Sequence, residues 1–483
     1  MKQQKGQTWR SVNWQDAAAI RRLLQSGADP NEPLSIGMRP LHRAVRASHD
    51  ASEKKIVQML LQRGADPSIT DEEGITPLVL AARMNNVGAV RALVERWRNH
   101  DDMNRALHMA ARYGHHEIVM ILLQNGADPN QPLQGMRPLH RAVRASHDAS
   151  EEIVRMLLEA GADPSITDEE GITPLVLAAR MNNVRAVRAL VERWRNHDDM
   201  NRALHMAARY GHHEIVMILL ENGADVNHRS GSWATPLHES SERAYTDTIR
   251  LLLDRGADTR LRNRAGETAL HIAAGYDILD SVRLLLERGA DPNARTHTGR
   301  TPLHETVENR LDREAVDLLL SYDADPYLRD QFGRTAFTRG SDDVQLAFLE
   351  HGYIPLPEEM EYIQTQDVAA LAQARIQQIQ QAQQRFQLVE RGGAKQQQSA
   401  VGLAGRLPHE LFRDLLRYGV RSLPRDNQES VRFNQWCRKR LAQTKDETIR
   451  ARLQEQAKTP LTRARWLEQF RYQQKRQSSK KQS

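Results

Sequence analysis

Two adjacent histidine pairs, His115-His116 and His212-His213, are the first residues of this chain whose type and spacing suggest chemistry. Imidazole is the commonest protein ligand for transition metals, but a site needs further donors. Only Glu117 and Glu214 stand beside the pairs, with no cysteine or carboxylate cluster at ligand spacing, so no metal is expected. Cys437 is the single cysteine, set in Gln435-Trp436-Cys437-Arg438-Lys439-Arg440. Its cationic neighbours favour the nucleophilic thiolate. No recognisable His and Asn/Asp framework accompanies it, and neither a Gly-rich phosphate loop nor a Gly-x-Ser-x-Gly elbow occurs. The chain is therefore read as non-enzymatic and without cofactor. Two clusters remain, Trp97-Arg98-Asn99-His100 and Trp194-Arg195-Asn196-His197. Trp and Arg are enriched at binding hot spots, so the chemistry expected of Trp97, Arg98, His100, Trp194, Arg195 and His197 is recognition. The alternative is that each tryptophan fills a packing gap.

The elements that must position these residues are written repeatedly. Residues 36–130 recur nearly letter for letter as 134–227, with Tyr113 returning as Tyr210 after 97 residues. A shorter period runs inside, marked by Gly-Ala-Asp at Gly27, Gly64, Gly126, Gly161, Gly223, Gly256 and Gly289. A fixed period of this size predicts a stacked solenoid. Thr235-Pro236-Leu237-His238 and Thr301-Pro302-Leu303-His304 read as helix starts, with Thr as cap and Pro at the first helical position. A second apolar helix, such as Ile118 to Leu123, ends at a glycine that permits the left-handed exit.

These motifs resemble the ankyrin repeat, over about ten units from Trp9 to Tyr353. Variants are Arg39-Pro40-Leu41-His42, Arg105-Ala106-Leu107-His108 and Thr268-Ala269-Leu270-His271, and Asp323-Ala324-Asp325-Pro326 keeps the turn without its glycine. The resemblance implies an all-α ankyrin-repeat solenoid of helix-turn-helix units with hairpin loops. It also implies protein partners on the concave helical face and hairpin tips, and no common reaction. The motif histidine is then an inter-repeat hydrogen-bonding residue, and the first of each His-His pair occupies a position where the family commonly places histidine.

Two departures from the repeat stand out. After Arg96 the chain lacks Gly-Ala-Asp and enters Arg105-Ala106-Leu107-His108 about four residues early, and the same occurs at Trp194 to Met200. With no glycine to stop it, the second helix is expected to run on and the hairpin finger to shorten. The linker Ala47 to Ser52 and its copy Ala145 to Ser150 are longer than Tyr113-Gly114-His115-His116, as a functional loop or a neutral insertion.

The net charge of +6 hides an asymmetry: residues 391–483 hold 22 Lys+Arg against 8 Asp+Glu, leaving 46 against 54 elsewhere. One cysteine excludes an intramolecular disulfide and fits a reducing cytosol. No run of 18 apolar residues occurs, so neither a Sec-type signal nor a membrane helix is expected. The expected organisation is a cap and first unit (1–37), the array (38–353), a Gln-rich helical spacer (356–390), a linker (391–404) and a small basic helical domain (405–483). Apolar Val368, Ala372, Ile376, Ile379 and Phe386 give the spacer its helical period.

Within the basic domain, Leu407-Pro408-His409-Glu410-Leu411 through Leu415-Leu416, closed by Trp436-Cys437-Arg438, resembles the F-box over 407–440. The resemblance implies that Leu407, Pro408, Leu411, Leu415 and Leu416 contact the Skp adaptor of cullin–RING ubiquitin ligases. Asp426 to Ser430 is more polar than that family's Leu-rich middle. The whole architecture resembles the ankyrin effectors of intracellular bacteria, which implies a scaffold acting in a host cytosol or nucleus, and the chain is expected to be a monomer. The alternative is nucleic-acid binding by the basic domain, where Trp466, Phe470 and Tyr472 interleave with Arg463, Arg465, Arg471 and Lys475.

Overall fold

Every regular element among the described residues is helical, and the one β contact is an isolated bridge between Leu133 and Met136. The computed structural model describes residues 8–47, 52–145, 150–308 and 313–390. They belong to two compact units, divided between His297 and Thr298. Leu407, Pro408, Leu411, Leu415, Leu416 and Cys437 lie outside the described residues, as does most of each long inter-helix linker. None of the described helices is long and apolar enough to cross a membrane.

The first unit opens with α1 (Ala17–Gln25) and continues in pairs. These are α2 (Pro40–Ala47) with α3 (Ser52–Gln62), α4 (Pro77–Arg83) with α5 (Val87–Arg96), and α6 (His100–Tyr113) with α7 (His116–Gln124). Next come α8 (Pro138–Arg144) with α9 (Ser150–Glu159), α10 (Pro174–Arg180) with α11 (Val184–Arg193), and α12 (His197–Tyr210) with α13 (His213–Glu221). The last are α14 (Pro236–Ser241) with α15 (Thr246–Asp254), and α16 (Ala269–Gly275) with α17 (Leu279–Glu287). First helices pack on first helices and second on second, as α2 on α4 and α3 on α5. One pair alone cannot cover its apolar face, so each repeat depends on its neighbours. Leu78, Leu107, Val119 and Leu122 are fully buried in this way. Each such side chain contributes about 1.5–3 kcal/mol relative to exposure.

Local chemistry sets the helix ends. Thr76 accepts the Val79 amide at 3.3 Å and Pro77 follows at the first helical position. At the far end, Gly126 adopts φ +93° while the Ala127 amide returns to the Leu122 carbonyl at 3.0 Å. Asp323 holds φ +64° where its glycine is missing, a conformation Asp tolerates better than most residues.

A ladder of histidines joins consecutive repeats. Nε2 of His42 donates to the Ile75 carbonyl at 3.0 Å, His140 to Ile172 at 3.0 Å, and His238 to Glu267 at 3.1 Å. Val79 and Val176 occupy the histidine position in α4 and α10, and there Thr76 and Thr173 donate instead to Asp102 and Asp199, each at 2.6 Å. Burial pushes the Asp102 and Asp199 carboxyls up, with the threonine hydrogen bond opposing.

Those aspartates come from the shortened turns, and the structure corrects the expectation that the second helix runs on. Helix α5 stops at Arg96, and α6 starts early at His100, so that it has 14 residues where α4 has 7. The reason is a strong start signal: the Asn99 side chain accepts the Asp102 amide at 3.0 Å, with Asp101 and Asp102 in the first turn. Asn196 does the same for α12.

The second unit pairs α18 (Pro302–Glu308) with α19 (Arg313–Ser321), followed by a 3₁₀ turn (Ala336–Arg339) and α20 (Asp342–Glu350). Phe337, Phe348, Tyr327 and Tyr353 form an aromatic cluster with centroids 4.7–5.9 Å apart. A second 3₁₀ turn (Pro357–Tyr362) buries Glu359, which accepts from the Tyr353 hydroxyl at 2.5 Å, Thr335 at 2.6 Å and the Leu356 amide at 2.8 Å. The Gln-rich segment forms α21 (Gln366–Glu390), whose Val368 and Ala372 are fully buried and which packs on α20. Its start therefore closes the last repeat.

Candidate interaction surfaces

The Trp-Arg-Asn-His turns divide into buried and exposed halves. Trp97 and Trp194 leave α5 and α11 in extended backbone and are half-buried, with each indole N–H enclosed and without a hydrogen-bond partner. Arg98 and Arg195 are exposed. His100 is exposed too, yet its Nδ1 meets the Gly126 carbonyl at 3.2 Å, and Asn104, one turn on, accepts the Asp128 amide at 2.7 Å. His197 and Asn201 repeat this with Gly223 and Asp225.

A normal hairpin explains the arrangement. Asn31 donates to the Gly64 carbonyl at 2.9 Å and accepts the Asp66 amide at 2.7 Å, tying one finger to the next. Where the finger is cut short, His100 and Asn104 on the extended helix make the same two bonds. His100 and His197 are thus engaged within the array, while Arg98 and Arg195 stand exposed beside them.

The histidine pairs are split similarly. His115 and His212 donate to the Arg83 and Arg180 carbonyls at 3.3 and 3.2 Å, and burial lowers the His212 pKa. His116 and His213 face solvent. Among the described residues no group of three or more His, Cys, Asp or Glu is placed to hold a metal.

A position that the sequence reading passed over lies at a hairpin tip. Gly74, Gly171, Gly266 and Gly299 sit two or three residues before a repeat's first helix start, with φ between +70° and +81°. In Ser230-Gly-Ser-Trp233-Ala-Thr235 that place is taken by Trp233, at φ +62° and 53% exposed. A bulky side chain in left-handed backbone is strained by roughly 1–2 kcal/mol. The Arg229 guanidinium lies 5.8 Å from its ring centroid. Ile36, at φ +61° and 63% exposed, is a second apolar residue held this way at a tip. The legible signal was a tryptophan aligned with the tip glycines of other repeats.

Comparison with known proteins covers the same part of the chain. The family model for ankyrin repeats in three copies matches residues 10–104, 48–132, 97–168, 139–230 and 231–296, and a single ankyrin repeat matches 298–331. Neurogenic locus notch homolog protein 1 of Homo sapiens is 36% identical over 141 residues, covering 27% of this chain and 5% of that protein. The Danio rerio homolog is 36% identical, over 27% of this chain and 6% of its own length. Rabankyrin-5 of Mus musculus is 32% identical over 145 residues, 28% of this chain and 12% of its own length. The match therefore spans a small fraction of each relative. The stacked helix pairs, the histidine ladder and matches running through most of residues 10–331 agree: the chain belongs to the ankyrin-repeat family.

Proposed function

We propose that the array is a non-enzymatic scaffold that holds a protein partner through its hairpin tips, with Trp233 as anchor. The observation that carries this reading is the strained, exposed tryptophan. Left-handed backbone at a tip suits glycine, and a large apolar side chain there lowers stability while presenting its ring to solvent. Strain retained at an exposed position is characteristic of binding sites. Trp97 with Arg98, and Trp194 with Arg195, are secondary contacts in the same proposal, with His100 and His197 acting through the hairpins they hold.

The test is Trp233→Gly in the full chain. Stability should rise by about 1 kcal/mol as the strain is relieved, read by chemical denaturation. Proteins captured from a eukaryotic lysate should be lost at the same time. An unchanged captured set would remove Trp233 as the anchor.

In its sharper form the proposal makes the chain an adaptor, possessed of a ligase-recruiting F-box-like segment at 407–440 and acting as an effector in a host cell. The motif Leu407-Pro408 with Leu411, Leu415 and Leu416 supports that form. Pro408→Ala with Leu411→Ala should abolish capture of Skp and cullin subunits, and capture that survives both changes removes the assignment. The competing reading, nucleic-acid binding through the basic residues 391–483, requires an affinity that falls steeply with salt.

A further inference from the structure

At the ends of helices α6 and α8 lies an open pocket of about 310 Å³ lined by Arg112, Arg141, Arg144 and Ala145. Three guanidinium groups meet there, and among the described residues none of the three makes an ion pair. Arg141 is only 8% exposed. One terminal nitrogen reaches the Leu133 carbonyl and the Gln134 side-chain oxygen, both at 3.3 Å, while its Nε is buried without a partner. At the same junction Arg137 leaves Nε and Nη1 buried and unpartnered, and the Nδ1 atoms of His108 and His140 are likewise unsatisfied. Buried polar atoms usually find partners. Arg39 Nε and His205 Nδ1 are orphaned at the equivalent places of other repeats, so Arg141 Nε, Arg137 Nη1 and His140 Nδ1 are what set this junction apart.

The electrostatics agree. Burial, then Arg141 and Arg137, hold the His108 pKa down at about 4, with the Gln131 hydrogen bond opposing. Burial, Arg112 and Arg144 lower that of Arg141. The site is positive, partly desolvated and uncompensated, conditions under which an anion binds most strongly.

The duplicated repeat provides an internal control. Helix α12 has the same 14 residues as α6, and Arg209 stands where Arg112 does. The next helix, α14, places Glu239 and Glu242 at the positions of Arg141 and Arg144. Burial and then Glu239 raise the Glu242 pKa there, with Arg209 opposing, and Glu239 lies 3.8 Å from His205. The fold therefore accommodates neutralising carboxylates at this junction, and α8 does without them.

We propose that Arg112, Arg141 and Arg144 form a binding site for a phosphate monoester, carried by a phosphorylated side chain of a partner protein. A carboxylate presents two oxygens and is satisfied by one guanidinium, whereas a phosphate monoester presents three oxygens and close to two negative charges. Among the described residues the pocket's one other lining residue is Ala145, so the lining itself holds no aromatic ring on which a nucleobase could stack. Arg112 and Arg144 are exposed, so the phosphate is reached from solvent, and Tyr113, 44% exposed, stacks on His115 with the Arg112 guanidinium over its ring. The choice of a protein carrier rests on the scaffold reading above.

The experiment titrates the full chain with a glycine–alanine peptide bearing one phosphoserine, with its unphosphorylated and glutamate twins, and with inorganic phosphate. The phosphopeptide should bind saturably, more tightly than inorganic phosphate, and the two twins should not. Arg112→Gln and Arg144→Gln, both exposed positions, should each weaken it about tenfold or more, the loss expected for one charge-assisted contact. Arg43→Gln, at the α2 position that corresponds to Arg141, should leave it unchanged. The proposal is overturned by no saturable binding up to about 10 mM, by binding that survives the arginine changes, or by equal affinity for inorganic phosphate. It is overturned too if binding appears only after Asp148→Asn, four positions beyond Arg144, because the chain would then supply its own anion. Since the probe bypasses Trp233, failure here leaves the hairpin-tip reading standing, and the reverse also holds.

Discussion

Helices α6 and α12 are the same fourteen residues and end in opposite electrostatic settings. His108 looks toward Arg137 and Arg141, whereas His205 has Glu239 3.8 Å from its ring. Nothing in α6 or α12 decides the difference, because it lies in the helix that follows. In a stacked array the environment of a side chain is set by the adjacent repeat, so identical sequence does not imply an identical site. Duplication supplied two equal platforms, and the arginines of α8 against the glutamates of α14 made them chemically distinct.

Exchanging those residues tests the comparison most severely. Glu239→Arg with Glu242→Arg should create a second phosphate-binding junction against Arg209. Arg141→Glu with Arg144→Glu should erase the first, and the change in phosphopeptide affinity should be about a hundredfold in each direction, two charge-assisted contacts being gained or lost. Titration calorimetry on the full chain measures both. If the gain fails while the loss succeeds, the orphaned nitrogens of Arg137 and the burial of Arg141 contribute more than the charge count.

A second test uses pH. His108 is neutral in the folded chain, with its pKa lowered from the ordinary 6.5 to about 4. The unfolded chain therefore takes up a proton before the folded one does. The stability it contributes is fully present above pH 6.5 and is lost progressively as the pH falls toward 4. The loss amounts to about 3 kcal/mol for one such group. His108→Gln keeps a donor for the Gln131 carbonyl and should flatten the acid limb of the stability profile by that order. A denaturation midpoint that falls as steeply in the variant would assign the acid sensitivity elsewhere.

Much of this architecture was legible. The Thr-Pro-Leu-His starts mark α14 and α18, the Thr-Ala-Leu-His variant marks α16, and the Gly-Ala-Asp ends mark α15 and α17, almost to the residue, because caps and glycine exits are local chemistry. The shortened turns were visible as defects, but the missing glycine predicts a longer α5, whereas Asn99 with Asp101 and Asp102 behind it is itself a helix start and decides the outcome. The role of His100 and Asn104 was not legible, as it depends on where the next finger places the Gly126 carbonyl. Arg112 and Arg141 are far apart in sequence, and each alone reads as a solvated surface arginine. Only stacking brings them into one pocket.

The smallest effect concerns a second difference between the copies. Arg193 pairs with Glu159 at 2.7 Å, both side chains more than half exposed. In the first copy the corresponding residues are Arg96 and Gln62, which carry no such ion pair. A solvated pair of long side chains gains little, because water screens the attraction and both chains lose rotamer freedom. Arg193→Ala should therefore lower stability by less than about 0.5 kcal/mol, and Gln62→Glu should add no more than that. Denaturation midpoints measured at low and high salt would check both. A large, salt-sensitive change would mean that exposed charges distinguish the copies as strongly as the half-buried junctions do, and the contrast between α8 and α14 would lose its special standing.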